Sequence, residues 1–277
     1  MKISDITIGQ YFPGNSVVHR MDPRMKLVLV TVYIVMLFVA RNALSMAVGV
    51  LFVLITYPLS QISLRMIGKS IRPIMPIILI TAVFNMLFVA GEPVFQLWRI
   101  TVTYEGIATA IQMCVRILCL IGGSALLTYT TSPIALTDGI ELLFAPLKKI
   151  GAPVHEIAMM MTITLRFIPT LIEETEKIMS AQKARGADFE SGNIIARVRA
   201  MLPIFIPLFV SAFRRAEDLA LAMECRCYHG GEGRTRMRVL KYSGVDAGAA
   251  VFTALCLAAT IALNIWQPIA LWAGAWL

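Results

Sequence analysis

Five apolar runs, each bounded by charge, constrain this chain more than any other feature of its sequence. A helix that crosses a bilayer takes about 20 mostly apolar residues. Residues 27–40 are apolar apart from Thr31, and a second run follows at 43–58, after Arg41 and Asn42. That spacing predicts a helical hairpin with a tight turn at Arg41-Asn42. The first run is short, and flanking Arg24 and Lys26 can snorkel and extend it. A third run, 71–90, is broken by Arg72, Asn85 and prolines; a fourth, 106–128, is interrupted by Arg116; a fifth, 245–266, has Asp246 near its start. Trp266, Trp272 and Trp276 read as an interfacial aromatic belt. The chain is 58% hydrophobic and 15% charged, with a mean hydropathy of +0.75. Soluble domains run nearer roughly 45–50% apolar and about 25% charged. These features predict an all-α integral membrane protein with about five transmembrane helices. They exclude a disordered chain and a disulfide-stapled secreted domain. The five cysteines (Cys114, Cys119, Cys225, Cys227 and Cys256) are odd in number, and three lie in apolar runs, so no disulfide framework is indicated. Residues 1–20 hold Lys2, Asp5, Asn15, His19 and Arg20 with no apolar core, unlike a signal peptide.

The basic residues set the topology. Lys2, Arg20, Arg24 and Lys26 precede the first run, and Arg65, Lys69 and Arg72 lie between the second and third. Only Arg41 separates the first and second, and only Arg99 the third and fourth. The positive-inside rule puts the N-terminus in the cytoplasm, and five spans leave the C-terminus outside. Residues 131–241 then fall on the cytoplasmic side, with 15 of the 25 Lys+Arg and 12 of the 17 Asp+Glu. The expected division is a four-helix membrane region at 1–130, a cytoplasmic-side region at 131–241 and a last transmembrane helix at 242–277. The net charge of +8 fits topology and anionic lipid head groups, with Arg234, Arg236, Arg238 and Lys241 just before the last span. It does not indicate nucleic acid.

Residues 131–241 are too long for a structureless loop. Pro133 opens a helix that runs to about 150 and ends at Gly151. Pro153 opens a second, reaching Arg185 and closed by Gly186. A third runs from about Asn193 to Tyr228 and stops at Gly230-Gly231. Residues 200–213 are 14 positions without charge, including Pro203 and Pro207, and Met159, Met160 and Met161 are consecutive. Neither stretch is long enough to span, and prolines kink helices. Long amphipathic helices along the cytoplasmic face of the membrane fit better. The methionines suit a surface that repacks against partners, and equally a helix-to-helix core.

Both long helices end on an Arg among small residues: Ala184-Arg185-Gly186, then Cys225-Arg226-Cys227 some 40 positions later. One cation at a helix C-terminus complements the dipole and means little alone. Two, at consecutive long helices, suggest plugs that enter grooves on a cytoplasmic partner and grip carboxylates bidentately.

Here the residues become familiar. Ala184-Arg185-Gly186 and Arg226 resemble the paired Ala-Arg-Gly motifs of the T component of energy-coupling factor (ECF) transporters, the EcfT/CbiQ-like family. Leu165-Arg166-Phe167-Ile168-Pro169 with Glu173-Glu174 is similar to a segment of that family's second coupling helix. The stretch from His19 to Leu27, Thr137-Asp138-Gly139-Ile140-Glu141, Pro146-Leu147 and Gly151-Ala152-Pro153 also match. The ordered set covers residues 16–238. The second motif departs from the family pattern in having Cys225 and Cys227 around its Arg; Cys227 lacks the freedom of glycine at a left-handed cap.

The resemblance implies a membrane scaffold whose long cytoplasmic helices are coupling helices. Ala184, Arg185, Gly186 and Arg226, with Cys225 and Cys227 by position, would contact two ABC-type ATPase subunits. A separate membrane-embedded S component would bind a vitamin or similar micronutrient. The chain would bind no cofactor, leaving ATP and Mg to the ATPases, and would sit as a multi-pass protein in the bacterial plasma membrane.

Other functions fit less well. A membrane-embedded enzyme needs acid–base or nucleophile groups within reach of one another. Glu173, Glu174 and Glu176 diverge around a helix with no His close by. Cys225, Cys227 and His229 supply only three local ligands, at a spacing that fits no common zinc module. A self-contained transporter would show internal repeats, and none is visible; Asn85 and Arg116 are the polar oddities within spans. The permease subunit of an ordinary ABC transporter usually has one coupling helix. Gly230-Gly231-Glu232-Gly233-Arg234 lacks the Lys and Ser/Thr of a phosphate loop, so ATP hydrolysis belongs to another chain.

Overall fold

The computed structural model describes residues 11–91, 93–97, 100–187, 189, 193–231 and 239–265. The tryptophans at 266, 272 and 276, Arg99, Arg234, Arg236, Arg238 and residues 1–10 lie outside the described residues. The chain divides into two compact units, Gln10–Gly139 with Leu240–Leu277, and Met1–Gly9 with Ile140–Val239.

The first unit is built from α1 (Val17–Arg20), α2 (Pro23–Val39), α3 (Ala43–Ser60), α4 (Leu64–Ile71), α5 (Met75–Phe88), α6 (Tyr104–Thr130) and α10 (Gly244–Ile265). Among the described residues, four helical stretches are long and apolar enough to cross a membrane: Ala43–Ser60, Arg65–Phe88, Tyr104–Thr130 and Gly244–Ile265. The remaining expected span, α2, has 17 residues, the lower end of the workable range. One element was absent from the sequence reading: β1 (Pro93–Leu97) and β2 (Ile100–Thr103) pair antiparallel between α5 and α6.

α2, α3, α6 and α10 enclose the core, where Tyr33, Met36, Leu37, Ala40, Met46 and Cys119 are buried together. Water drives no helix association inside a bilayer, so close backbone approach supplies the attraction. A Cβ on Gly123 would lie 2.3 Å from the Tyr33 ring, and one on Gly49 would lie 2.5 Å from Leu37. The Tyr33 hydroxyl lies 3.3 Å from both the Gly49 and Cys119 carbonyls. The Tyr33, Phe52 and Phe252 rings stack in series at 4.7 and 5.4 Å.

The turn at Arg41-Asn42 forms where expected, and side chains from other helices satisfy its backbone. Arg116 donates to the Ala40 carbonyl at 2.6 Å, Gln112 to Arg41 at 3.0 Å and Asn264 to Val39 at 2.7 Å. The carbonyls that end α2 have no intrahelical donor, and a bilayer offers no water to replace one. Arg116, one of the two polar oddities, is thus a cap for another helix. Asn85, the other, bonds within its own helix, donating to Thr81 at 2.8 Å.

At the opposite end of α2, neither flanking cation snorkels. Lys26 is only 5% exposed, and its ammonium donates to the Thr130 carbonyl at 2.9 Å and Thr131 Oγ1 at 3.3 Å. Arg24 pairs with the N-cap Asp22 at 2.7 Å and lies over the Tyr242 ring at 4.2 Å. The buried Asp246 carboxylate accepts from the Asp22 amide at 2.9 Å and from Ser243. α2 and α10 are therefore tied at both ends by polar contacts.

α7 (Pro133–Phe144) is followed by a 3-10 turn, Ala145–Ile150, then α8 (Val154–Ala184) and α9 (Ile194–Glu224). α8 and α9 each run 31 residues. Neither is among the helices apolar enough to cross a membrane. Pro203 and Pro207 do not break α9. Pro207 has no N–H, which leaves the Pro203 carbonyl without its helical donor. Gln182 of α8 reaches that carbonyl at 3.5 Å.

Candidate functional site: two Arg-tipped helix ends

The ends of α8 and α9 share one backbone design. At the end of α8, the Gly186 amide bonds the Lys183 carbonyl at 2.9 Å, and the Ala187 amide bonds Gln182 at 3.0 Å. At the end of α9, the Cys227 amide bonds Glu224 at 2.8 Å, and the Tyr228 amide bonds Met223 at 3.0 Å. This paired closure satisfies the last carbonyls and needs a left-handed residue at its corner. Gly186 supplies it with φ +87°, and Cys227 does so with φ +56°. The two triplets therefore coincide position for position, with Arg185 and Arg226 just before the left-handed corner. Cys227 takes the corner although it carries a Cβ.

Ala184, Arg185, Gly186, Cys225, Arg226 and Cys227 are all exposed. Neither guanidinium makes a hydrogen bond or ion pair with a described residue. Each tip thus offers an unengaged fork of donors flanked by short side chains, the arrangement that admits a carboxylate-lined groove.

The hairpin that carries the tips is cross-linked along its length. Glu174 of α8 accepts from Arg215 of α9 at 2.7 Å and from the Ser211 hydroxyl. Tyr228, beyond α9, donates to the Met159 sulfur near the start of α8 at 2.9 Å. Together with the bond from Gln182 to Pro203, these contacts set the helices antiparallel. Arg185 and Arg226 consequently sit at opposite ends of the hairpin. A 31-residue helix at 1.5 Å per residue separates them by about 45 Å.

The Arg226 end has a support that the sequence reading missed. His155, in the first turn of α8, bonds Glu141 of α7 at 2.9 Å through Nδ1. Gly231 lies against the same ring, where a Cβ would come within 2.3 Å of its Cδ2. The chain leaving Arg226 is seated on α8, and α8 is tied to α7.

The acidic run divides. Glu174 turns inward to α9, while Glu173 and Glu176 face open surface with Lys177 and Ser180. Cys225, Cys227 and His229 are exposed; among the described residues no group of three His, Cys, Asp or Glu side chains is placed to hold a metal. α9 leaves Phe205, Ile206, Phe209 and Phe213 about 60% exposed, and Met160 and Met161 of α8 are exposed as well. Met160 and Met161 are thus on a surface, whereas Met159 is half-buried and contacts Tyr228 across the hairpin. A stripe of that size marks contact with a protein or a membrane.

Residues 14–237 match the family described as cobalt transport protein, CbiQ. The chain is 51% identical over 257 residues to the energy-coupling factor transporter transmembrane protein EcfT of Thermosediminibacter oceani, covering 93% of this chain and 97% of the relative. It is 54% identical over 245 residues to the protein of that name from Acidaminococcus fermentans, 88% and 91% covered. The corresponding protein of Lactococcus lactis subsp. cremoris is 44% identical over 268 residues, with 96% and 100% covered.

Proposed function

The chain belongs to the cobalt transport protein (CbiQ) family, as a membrane T component of an energy-coupling factor transporter, and on that premise we propose that it joins two cytoplasmic ABC-type ATPases to a substrate-binding S component. Arg185 with Ala184 and Gly186 enters one ATPase, and Arg226 with Cys225 and Cys227 enters the other. ATP binding draws the ATPases together, and α8 and α9 carry that motion to the S component, which delivers a vitamin or similar micronutrient inward. Residues 131–241 form the coupling-helix region, between the membrane region 1–130 and the last span in 242–277. The chain lies in the bacterial plasma membrane with its N-terminus in the cytoplasm. It contributes no catalytic group; ATP and Mg are held by the ATPases.

One observation carries this reading: a single backbone closure occurs at both ends of one hairpin, and each presents an exposed Arg that pairs with no other described residue. An ordinary ABC permease with one coupling helix needs only one such tip. The test is copurification of the ATPases with Arg185→Ala, Arg226→Ala and the double variant. Truncating one partner of a desolvated charged contact costs roughly 2–5 kcal/mol. Each single change should therefore weaken docking at least tenfold, and the double change should abolish ATP-driven uptake while insertion in the membrane persists. A double variant that copurifies both ATPases at wild-type levels and transports normally sinks the proposal.

A further inference from the structure

α4 carries a charge pattern that the coupling role does not use. Arg65, Lys69 and Arg72 follow one another at intervals of four and three, so they share one helix face. All three are exposed. None makes a hydrogen bond or ion pair with a described residue. The sequence offers them no local counter-charge, because no Asp or Glu occurs between Asp22 and Glu92. Gly68 lies on the same face, and a Cβ there would meet nothing within 4 Å. The stripe is thus three cations around a stretch of bare, open backbone.

The opposite face fixes the depth of the stripe. Met66 and Ile67 pack on the cluster of Tyr57, Ile62 and Tyr129. The Tyr129 hydroxyl donates to the Met66 carbonyl at 3.3 Å and is also hydrogen-bonded to Ser70. A 3-10 turn, Arg72–Ile74, leads directly into α5. Residues 73–91 then contain no charge. The cations are therefore held at the boundary where the apolar span begins. Beyond them along α5, Leu79 and Val83 are exposed; they follow Arg72 at helical spacing, so apolar surface adjoins the charged face.

We propose that Arg65, Lys69 and Arg72 form a binding site for the phosphodiester head group of an anionic phospholipid, whose acyl chains lie along α5. The site is independent of the ATPase tips. Charge complementarity selects an anion, and the adjoining apolar wall selects one that carries hydrocarbon. An amphipathic helix with cations on one face and an anchored apolar face is the form that lies in the lipid head-group layer. A soluble anion would use the cations and leave the wall bare; a zwitterionic lipid would use the wall and gain little from the cations.

The test uses the purified full chain in nanodiscs of phosphatidylcholine with increasing phosphatidylglycerol, with retained lipid counted by native mass spectrometry. Each cation at an anionic surface is worth about a fivefold change in binding, so the three together are worth on the order of a hundredfold. The Arg65→Gln/Lys69→Gln/Arg72→Gln variant should lose phosphatidylglycerol by that factor and keep phosphatidylcholine. Arg65→Lys/Arg72→Lys should retain phosphatidylglycerol, because charge and not fork geometry sets the effect. If the triple variant does not fold, Lys69→Gln alone should lower retention about fivefold. Wild-type retention of phosphatidylglycerol by the folded Gln variants overturns the site. Displacement of phosphatidylglycerol by millimolar inorganic phosphate also overturns it, by making the ligand a soluble anion. So does a triple variant that keeps its phosphatidylglycerol but loses a copurifying small membrane protein, which would assign the face to a protein partner.

Discussion

Cys227 occupies a backbone position that glycine holds at the other tip, which makes the two ends a controlled pair. A residue with a Cβ in the left-handed region is disfavoured by roughly 1–2 kcal/mol. The φ of +56° at Cys227 is held because the Cys227 and Tyr228 amides close the helix on Glu224 and Met223. Cys227→Gly should therefore stabilise the α9 end, by about 1 kcal/mol, and Gly186→Cys should weaken the α8 end by a similar amount. Hydrogen exchange at the Tyr228 and Ala187 amides reads the two effects separately. Protection should rise at Tyr228 in the first variant and fall at Ala187 in the second. Unchanged exchange at Tyr228 would mean that the corner is not strained. Cys227→Val should fall on the other side of wild type, since β-branching makes the left-handed region harder still.

His155 joins elements that are distant in sequence. It bonds Glu141 of α7 and receives Gly231 against its ring. Removing the ring in His155→Ala should free the chain after Arg226, lowering amide protection at 228–231. It should also weaken ATPase docking at that end by less than Arg226→Ala does. The Arg185 end, which His155 does not touch, should dock as before. Equal weakening at both ends would show general destabilisation of the hairpin. Gly231→Ala should reproduce the effect, because its Cβ and the His155 ring cannot occupy the same space. The contrast between helix ends and this contact also explains what was readable in advance. Gly151, Gly186 and the glycines after Tyr228 punctuate the chain locally, so the helix ends lie within a few residues of where the sequence puts them. The turn at Arg41-Asn42 was readable for the same reason. The contacts of His155, of Gln112 and Arg116 on the α2 end, and of Lys26 with Thr130 depend on which faces meet after folding. No periodicity encodes them. The β1–β2 ribbon was missed because strands of five and four residues carry too few alternations to stand out between two apolar helices. Both tips were legible as chemistry, an Arg among small residues, but their shared closure needed the backbone geometry of Cys227.

At the scale of the whole chain, the decisive quantity is the separation of the tips. Contacts along the hairpin, from Gln182 with Pro203 to Met159 with Tyr228, set the helices antiparallel and the two Arg about 45 Å apart. No single groove spans that distance, so on the proposed docking role the two guanidiniums meet separate sites. The expected stoichiometry is two ATPase subunits per chain. It should fall to one with either Arg→Ala variant and to none with both. Because the tips share no side-chain partner among the described residues, their effects on docking should add within about 0.5 kcal/mol when the ATPases bind independently. When ATP clamps the ATPases together, the intact tip holds both through their mutual contact, and either single variant should then cost less than it does without nucleotide. Light scattering of the purified assembly, with and without a non-hydrolysable ATP analogue, measures both quantities. Retention of two ATPases by each single variant without nucleotide would mean that neither Arg is the anchor of its end. A single ATPase on the wild-type chain would mean that only one tip docks, and the shared closure at the other would then serve only to end a helix.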